Sequence, residues 1–212
     1  MAREDSGSGS ESESESDFGS GSDPDSGSGS ESNSDSGSEI QFESVAGESA
    51  LLIRLPELDR HLAPWIGKWP DDGITTHVTV LVPFLPEAEI GADVLADLRG
   101  IFAGFAAYDL TFARTARFPT VLYLVPEPDQ PIREMIAAVY ARWPQCPPYA
   151  GAFDDPTPHA TVVHDGTEAE FEEAERVLAT TLPLRTRAAA VDLLIYDGSR
   201  WNVRERFPLA GS

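Results

Sequence analysis

The chain has 212 residues, of which 36 are Asp or Glu and 15 are Lys or Arg, and its formal net charge is −21. A charge this negative argues against broad, non-specific binding to nucleic acid, so any contact with RNA or nucleotides must come from a local pocket. The single cysteine, Cys146, excludes an intrachain disulfide framework and fits a reducing compartment. No segment has the apolar length of a signal peptide or a membrane span. We therefore expect a cytoplasmic protein with no membrane and no DNA among its partners.

Residues 1–48 are rich in Ser, Gly, Glu and Asp. The first 40 residues contain eleven acidic side chains, one basic side chain (Arg3) and no apolar run. Such a composition buries too little apolar surface to offset the entropy of ordering the chain, so we predict a disordered acidic tail. A further hypothesis is that this tail repels or mimics a polyanionic substrate. Residues 49–212 are long enough for one folded domain with its own core.

Short apolar runs alternate with stretches of helical periodicity from Ser49 onward. The first half predicts a strand at 50–55, a helix from Pro56 to about Trp69, a strand at 73–84, a helix at 90–105, and strands at 108–112 and 120–125. The second half repeats that order, with a helix at 131–143, a strand at 159–163, a helix at 167–182, and strands at 188–196 and 201–207. Helices interspersed among strands, with tight turns such as Asp197-Gly198, indicate an α+β domain with antiparallel sheet.

A His-x-Thr-Val motif occurs twice, at residues 77–80 and 159–162, in both cases in a predicted strand after a loop rich in Pro, Asp or Gly. Alternate residues of a strand point to the same face, so the His and Thr of each copy share a face. The same alternation places Val78, Val80 and Val82 on the opposite face of the first strand. It places His164 opposite the His of the second copy, where we expect a structural or surface residue.

Two such His/Thr pairs converge on one site if the two halves of the domain pack about a pseudo-two-fold axis. Imidazoles with a pKa of about 6.5 can hold opposite protonation states, one accepting a proton while the other donates one. Threonine hydroxyls beside them can bind phosphate oxygens. A single His-Thr pair is also compatible with an ordinary half-buried sheet position. Asp71-Asp72 and Asp154-Asp155 precede the two strands and leave a divalent-ion site as an alternative, but loop acids are usually turn formers, so we expect no metal and no cofactor.

The motifs resemble those of the 2H (two-histidine) phosphoesterase superfamily, which includes bacterial 2′-5′ RNA ligase-like proteins and RNA 2′,3′-cyclic phosphodiesterases. The resemblance covers residues 49–208 and is carried by Thr-His-Val-Thr-Val-Leu-Val-Pro-Phe at 76–84 and Pro-His-Ala-Thr-Val-Val at 158–163. It implies a bilobal, pseudo-two-fold fold, in which antiparallel sheets line a central cleft and helices cover the outer faces, with a metal-independent site. It also implies that His77 and His159 are general acid and base and that Thr79 and Thr161 bind phosphate.

The activity implied by this resemblance is that of a phosphoesterase acting on 2′,3′-cyclic phosphate or 2′-5′ phosphodiester ends of RNA or nucleotides, in the hydrolytic or the ligating direction. Arg117 is the first candidate to stabilise phosphoryl charge, with Arg204 and Arg206 next, and Phe84 and Tyr149 are candidates to contact a base. The competing hypothesis is a non-catalytic nucleotide- or RNA-binding module, or a scaffold whose acidic tail recruits a basic partner. The sequence leaves open the natural substrate, the oligomeric state and which histidine is the acid.

Overall fold

The computed structural model describes residues 44–66 and 72–212. The predicted acidic tail up to residue 43 and the predicted end of the first helix, residues 67–71, lie outside the described residues. The described residues form eight strands, four α-helices and three short 3-10 helices. The strands are β1 (Ser49–Arg54), β2 (His77–Leu81), β3 (Tyr108–Arg117), β4 (Val121–Glu127), β5 (Ala160–His164), β6 (Leu184–Ala188), β7 (Ala190–Tyr196) and β8 (Trp201–Pro208), and the helices are α1 (Asp59–Ile66), α2 (Ala92–Phe102), α3 (Gln130–Arg142) and α4 (Glu168–Leu178).

The strands form two four-stranded antiparallel sheets. The order is β2-β1-β7-β8 in the first sheet and β5-β4-β3-β6 in the second. Each His-x-Thr-Val copy therefore lies on an edge strand, and Cα atoms of these two edge strands, β2 and β5, approach within 8 Å of each other. The predicted α+β fold with antiparallel sheets and helices is confirmed.

Helices cover the faces of the two sheets that bury apolar side chains. In α3, Ile132, Met135 and Val139 are buried at helical spacing, and this helix packs on β2. Helices α1 and α4 pack on β5, and α2 packs on α3 and β8. Burial of these apolar stripes against the sheets supplies most of the driving force for the fold. None of the helices in the two described ranges is long and apolar enough to cross a membrane.

Strand β6 was not predicted by the sequence pattern. Only Leu184 and Ala188, at its two ends, are buried, and the three residues between them are Arg, Thr and Arg. The strand lies at an edge of the second sheet, so one of its faces and its unpaired side need not bury apolar side chains. A short strand with so little apolar content has no clear period-2 signal.

A β-bulge interrupts the first His-x-Thr-Val strand just after its threonine. Thr79 pairs with Leu52 on β1, whereas Leu81 pairs with Leu51. Val80 is therefore an extra residue without an opposite partner on β1. Such a residue reverses the inward/outward alternation beyond it.

The second copy carries a bulge at the same place. Thr161 pairs with Tyr123 on β4, whereas Val163 pairs with Leu122. Val162 is the extra residue here, as Val80 is in the first copy. The fourth residue of each motif thus performs the same structural role in both sheets.

These bulges correct two expectations that were based on strict alternation. Val82 does not share the face of Val78, because it packs with the small apolar cluster formed around Leu52 on the other face of the first sheet. His164 pairs with Val121 on β4, and Val121 lies on the same face as Tyr123. His164 is therefore on the face of Thr161 and His159 rather than opposite them.

Candidate active site

The two motif histidines are held in the same way. Nδ1 of His77 donates a hydrogen bond to the carbonyl oxygen of Thr75 at 2.8 Å, and Nδ1 of His159 donates one to the carbonyl oxygen of Thr157 at 2.7 Å. A carbonyl oxygen can only accept, so Nδ1 carries the proton in both rings. Nε2 of each ring is then the atom that can accept or donate a proton. We call the sheet faces that carry these histidines the cleft faces, and the space they border is the predicted cleft.

The surroundings of both imidazoles favour the neutral form. Burial lowers the pKa of His77, the hydrogen bond to the Thr75 carbonyl opposes this effect, and the charge of His159 lowers the pKa further. Burial also lowers the pKa of His159, against the opposing hydrogen bond to Thr157. The rings are close enough for the charge of His159 to affect the pKa of His77, and burial favours the neutral form of each ring, with a lone pair on Nε2.

Tyr149 lies beside the threonine of the first copy. Its hydroxyl is hydrogen-bonded to the side chain of Thr79, and its backbone N–H donates to the carbonyl oxygen of Val82 at 2.7 Å. Tyr149 and Ala150 both have positive φ, 51° and 52°, which is uncommon for residues other than glycine. The structure thus places Tyr149 next to the predicted phosphate-binding Thr79.

An aromatic pair accompanies the second histidine, and sequence reasoning missed it. The rings of Phe118 and Tyr123 stack with centroids 4.4 Å apart, and each ring lies edge to face with His159, at 5.3 Å and 5.4 Å. Tyr123 pairs in register with Thr161, and Phe118 is in the turn between β3 and β4. The available signal was two aromatic residues five positions apart, one just before and one within the strand predicted at 120–125.

Arg54 is another residue of this site that the sequence interpretation did not select. It pairs in register with His77 and so shares the cleft face of the first sheet. Its positive charge contributes to the lowered pKa of His77. The signal was present in the sequence as one charged residue inside the otherwise apolar run Leu-Leu-Ile-Arg-Leu.

The structure does not bring Arg117 together with the histidines. Arg117 pairs with Leu122, whose neighbour Tyr123 faces the cleft, so Arg117 points to the opposite side of the sheet. There its guanidinium makes two hydrogen bonds to Glu175, at 2.8 Å and 2.7 Å, and one to Glu168 at 2.6 Å. Its substrate-binding role stays a prediction, and this placement favours a structural role that connects β3 to α4.

Phe84 also lies away from the cleft. Its side chain is only 4% exposed and packs edge to face on Trp143, with ring centroids 5.1 Å apart. A ring enclosed in the core in this way has no open face for a base. Arg204, one of the two next candidates after Arg117 to stabilise phosphoryl charge, donates hydrogen bonds to the Glu87 carboxylate and to the carbonyl oxygen of Ile90.

The acidic loops before the two motif strands do not form an ion-binding cluster in the part of the chain that the structure describes, where no group of three His, Cys, Asp or Glu side chains surrounds a common position. Asp155 instead pairs with Arg133 at 2.8 Å. Asp72 is near enough to raise the pKa of His77, and its side chain accepts a hydrogen bond from the backbone N–H of Ile74. Asp71 lies outside the described residues.

Paired His-x-Thr strands on the facing edges of two antiparallel sheets define the class of 2H phosphoesterases. A family model, the 2′-5′ RNA ligase superfamily, matches residues 56–200, about two thirds of the chain. The chain belongs to this superfamily. No curated protein matches the sequence.

Solved structures share the fold at low sequence identity. TT0787 of Thermus thermophilus matches with a TM-score of 0.55 and 19% identity, over 78% of this chain and 99% of its own. LigT of Escherichia coli in its apo form matches with a TM-score of 0.52 and 18% identity, over 79% of this chain and 99% of its own. Both comparisons support the same architecture of two sheets.

Proposed function

We propose that this protein is a metal-independent phosphoesterase that acts on 2′,3′-cyclic phosphate or 2′-5′ phosphodiester ends of RNA or nucleotides. The observation that carries the proposal is the matched pair of imidazoles, His77 and His159. Each is oriented by a backbone carbonyl through Nδ1 and keeps Nε2 for proton exchange. Membership of the 2′-5′ RNA ligase superfamily supports the same class of reaction.

In the hydrolytic direction, Nε2 of one neutral histidine accepts a proton from water while the water oxygen forms a bond to phosphorus. The bond from phosphorus to the 2′ or 3′ ribose oxygen breaks, and the other histidine, protonated at Nε2, donates its proton to that oxygen. The product is a phosphomonoester beside a free hydroxyl. In the reverse sense, a terminal hydroxyl replaces water and the product is a phosphodiester.

The threonines of the two motifs lie where they can bind the non-reacting phosphate oxygens. Thr79 shares the face of His77, and Thr161 shares the face of His159. The Tyr149 hydroxyl is hydrogen-bonded to Thr79 and so restricts its side chain. The partly exposed Phe118 ring beside His159, with the buried Tyr123 ring stacked against it, offers an apolar surface on which the base or ribose of the substrate can pack.

The direct test is a screen of nucleoside 2′,3′-cyclic phosphates and 2′-5′ dinucleotides with wild-type protein, His77→Ala and His159→Ala. We expect each histidine variant to lose about 10² to 10⁴ in kcat, because each removes one proton-transfer group. His61→Gln, in α1, is a control histidine that should leave kcat near the wild-type value. Circular dichroism of each variant shows whether the fold is kept.

Three outcomes would contradict the proposal. Binding of nucleotides without turnover by the wild type would favour the non-catalytic module. Turnover that persists in the double variant His77→Ala/His159→Ala would assign the chemistry to other residues. Activity that survives an excess of chelator is expected, and its loss would point to a metal-dependent reaction.

A further inference from the structure

A buried carboxylate lies on the cleft face of the first sheet. Asp192, in β7, is 1% exposed. It pairs in register with Leu52 on one side and Arg206 on the other, and Leu52 itself pairs with Thr79. Asp192 is thus in the same cross-strand row as the predicted phosphate-binding threonine. Burying a carboxylate is costly unless other charges compensate it, so its position calls for a reason.

Two arginines flank Asp192 without forming close hydrogen bonds to it. Nη1 of Arg54 lies 3.7 Å from Oδ2, and Nε of Arg206 lies 3.7 Å from Oδ1. Oδ1 of Asp192 is buried and has no hydrogen-bond partner among the described residues. The carboxylate therefore holds both cations electrostatically, but neither guanidinium is tightly docked on it.

Arg54 is the member of this group that faces the first histidine. It pairs in register with His77, and its Nε donates to the side-chain oxygen of Thr75 at 3.3 Å. The carbonyl oxygen of the same Thr75 accepts the hydrogen bond from His77. The two Nη groups of Arg54 make no hydrogen bond within the described residues, so they keep the paired donors that suit a phosphate.

The second half of the domain has no matching charge. Leu124 pairs with Ala160, so the next residue, Val125, occupies the position beside His159 that Arg54 occupies beside His77. Arg54, Asp192 and Arg206 together leave one net positive charge on the cleft face of a strongly acidic protein. A dianionic or monoanionic phosphoryl group needs such local compensation.

We propose that Arg54 is the phosphoryl-binding cation of this cleft and that Asp192 is the positioning residue that holds the Arg54 guanidinium beside His77. This inference rests on the proposed phosphoesterase function. Binding of phosphate draws the loosely held Nη groups onto the anion, while Asp192 keeps the side chain on the cleft face. Arg206, on β8 and two strands farther from His77, has no such access.

The first experiment compares Arg54→Gln with Arg206→Gln as a matched control, because both arginines lie 3.7 Å from Asp192. With adenosine 2′,3′-cyclic phosphate we expect kcat/KM to fall about 10² to 10³ in Arg54→Gln and to stay near the wild-type value in Arg206→Gln. Arg54→Lys should recover part of the loss, since it restores the charge without the planar pair of donors. Equal effects of the two glutamine variants would overturn the inference.

A double-mutant cycle tests the positioning role of Asp192. Asp192→Asn should lower kcat/KM in the presence of Arg54 and cause little further loss in the Arg54→Gln background, because the carboxylate acts through Arg54. Additive losses in the two variants would overturn that role. The double variant removes the buried charge together with its partner. It therefore also controls for a loss of kcat/KM that is caused only by unfolding.

A measurement that does not need turnover separates this inference from the proposed function. NMR titration of the His77 imidazole should show a higher pKa in Arg54→Gln and an unchanged one in Arg206→Gln, because Arg54 lowers the pKa of His77. Titration with inorganic phosphate should show weaker binding only in Arg54→Gln. If the wild type does not cleave cyclic phosphates but these two results hold, the proposed function fails and Arg54 still binds the anion. Unchanged His77 titration and phosphate affinity in Arg54→Gln would overturn the inference itself.

Discussion

Two backbone carbonyls, those of Thr75 and Thr157, decide how the imidazoles of this cleft are oriented. A carbonyl oxygen does not titrate, so the Nδ1–H tautomer of His77 and His159 is retained across the working pH range. A carbonyl also carries no full negative charge, so its hydrogen bond offsets only part of the effect by which burial lowers the pKa of each ring. The two rings are thereby kept ready to accept a proton on Nε2.

His164 provides a test of the electrostatics of the second histidine. Its charge lowers the pKa of His159, so the neutral substitution His164→Gln should raise that pKa. NMR titration of the His159 ring measures the shift, with His61→Gln as a control that should leave it unchanged. In the same variant, the part of the pH profile of kcat/KM that depends on the protonation of His159 should shift to higher pH. A fall or no change in the pKa of His159 would show that His164 does not face it.

At the scale of elements, α4 has a complete capping box at its start. The side-chain oxygen of Thr167 accepts a hydrogen bond from the backbone N–H of Glu170, and the Glu170 carboxylate accepts one from the backbone N–H of Thr167 at 2.9 Å. Thr167→Ala should reduce the free energy of unfolding by about 1 kcal/mol, because it leaves a helix N-terminal donor without its partner. Urea denaturation measures the loss, and Glu172→Ala, on the exposed side of the same helix, should not reproduce it.

The contact between β3 and α4 makes a separate prediction about Arg117. Because its guanidinium is engaged by Glu175 and Glu168 on the side of the sheet away from the cleft, Arg117→Gln should leave kcat/KM close to the wild-type value. Its effect on thermal unfolding should exceed that of an ordinary surface ion pair, because Arg117 binds Glu175 through two hydrogen bonds and also contacts Glu168. A loss of kcat/KM as large as that expected for Arg54→Gln would restore the substrate-binding role predicted from the sequence.

The elements with long apolar periodicity were predictable from the sequence, and the short polar ones were not. The helix predicted at 131–143 is observed at Gln130–Arg142, and the strand predicted at 201–207 is observed at Trp201–Pro208. The helix predicted at 167–182 is shorter in the structure and ends at Leu178. The predicted strand at 73–84 is reduced to β2, since the flanking residues Thr76 and Phe84 make only single backbone hydrogen bonds to Leu55 and Ser49 and no continuous ladder.

The part of the site that comes from local spacing was also predictable, whereas the part that comes from cross-strand register was not. The His and Thr of each motif lie two residues apart in one strand, so alternation alone places them on one face. Arg54 and Tyr123 enter the cleft only through their pairing with other strands. The face on which His164 lies depends on the bulge, and no residue type in the motif predicts that bulge.

At the scale of the whole molecule, the net charge of −21 opposes the approach of an anionic substrate to a cleft that has only local positive charge. Residues 1–40 contribute eleven acidic side chains and one basic one, a formal charge of −10. Removing them should raise kcat/KM for a dinucleotide substrate at low salt, and the difference should vanish at about 1 M salt, where the Debye length is about 3 Å.

The matched control for this deletion is a full-length chain in which the eleven acidic residues of the first 40 are replaced by Ser or Asn. If charge is responsible, this variant should behave like the deletion. Equal kcat/KM for the three proteins at low salt would remove the hypothesis that the acidic segment repels or mimics a polyanion.

The paired β-bulges have a consequence for how a ligand is oriented. Through the threonine, both edge strands present the same chemistry, but at corresponding places beyond it one strand presents Val82 and the other His164. A ligand spanning the cleft thus meets a hydrocarbon wall at one end and an ionisable ring at the other. We expect this difference to make the cleft chemically asymmetric. An asymmetric nucleotide should then bind in one orientation, although the two sheets around it are related by an approximate two-fold axis.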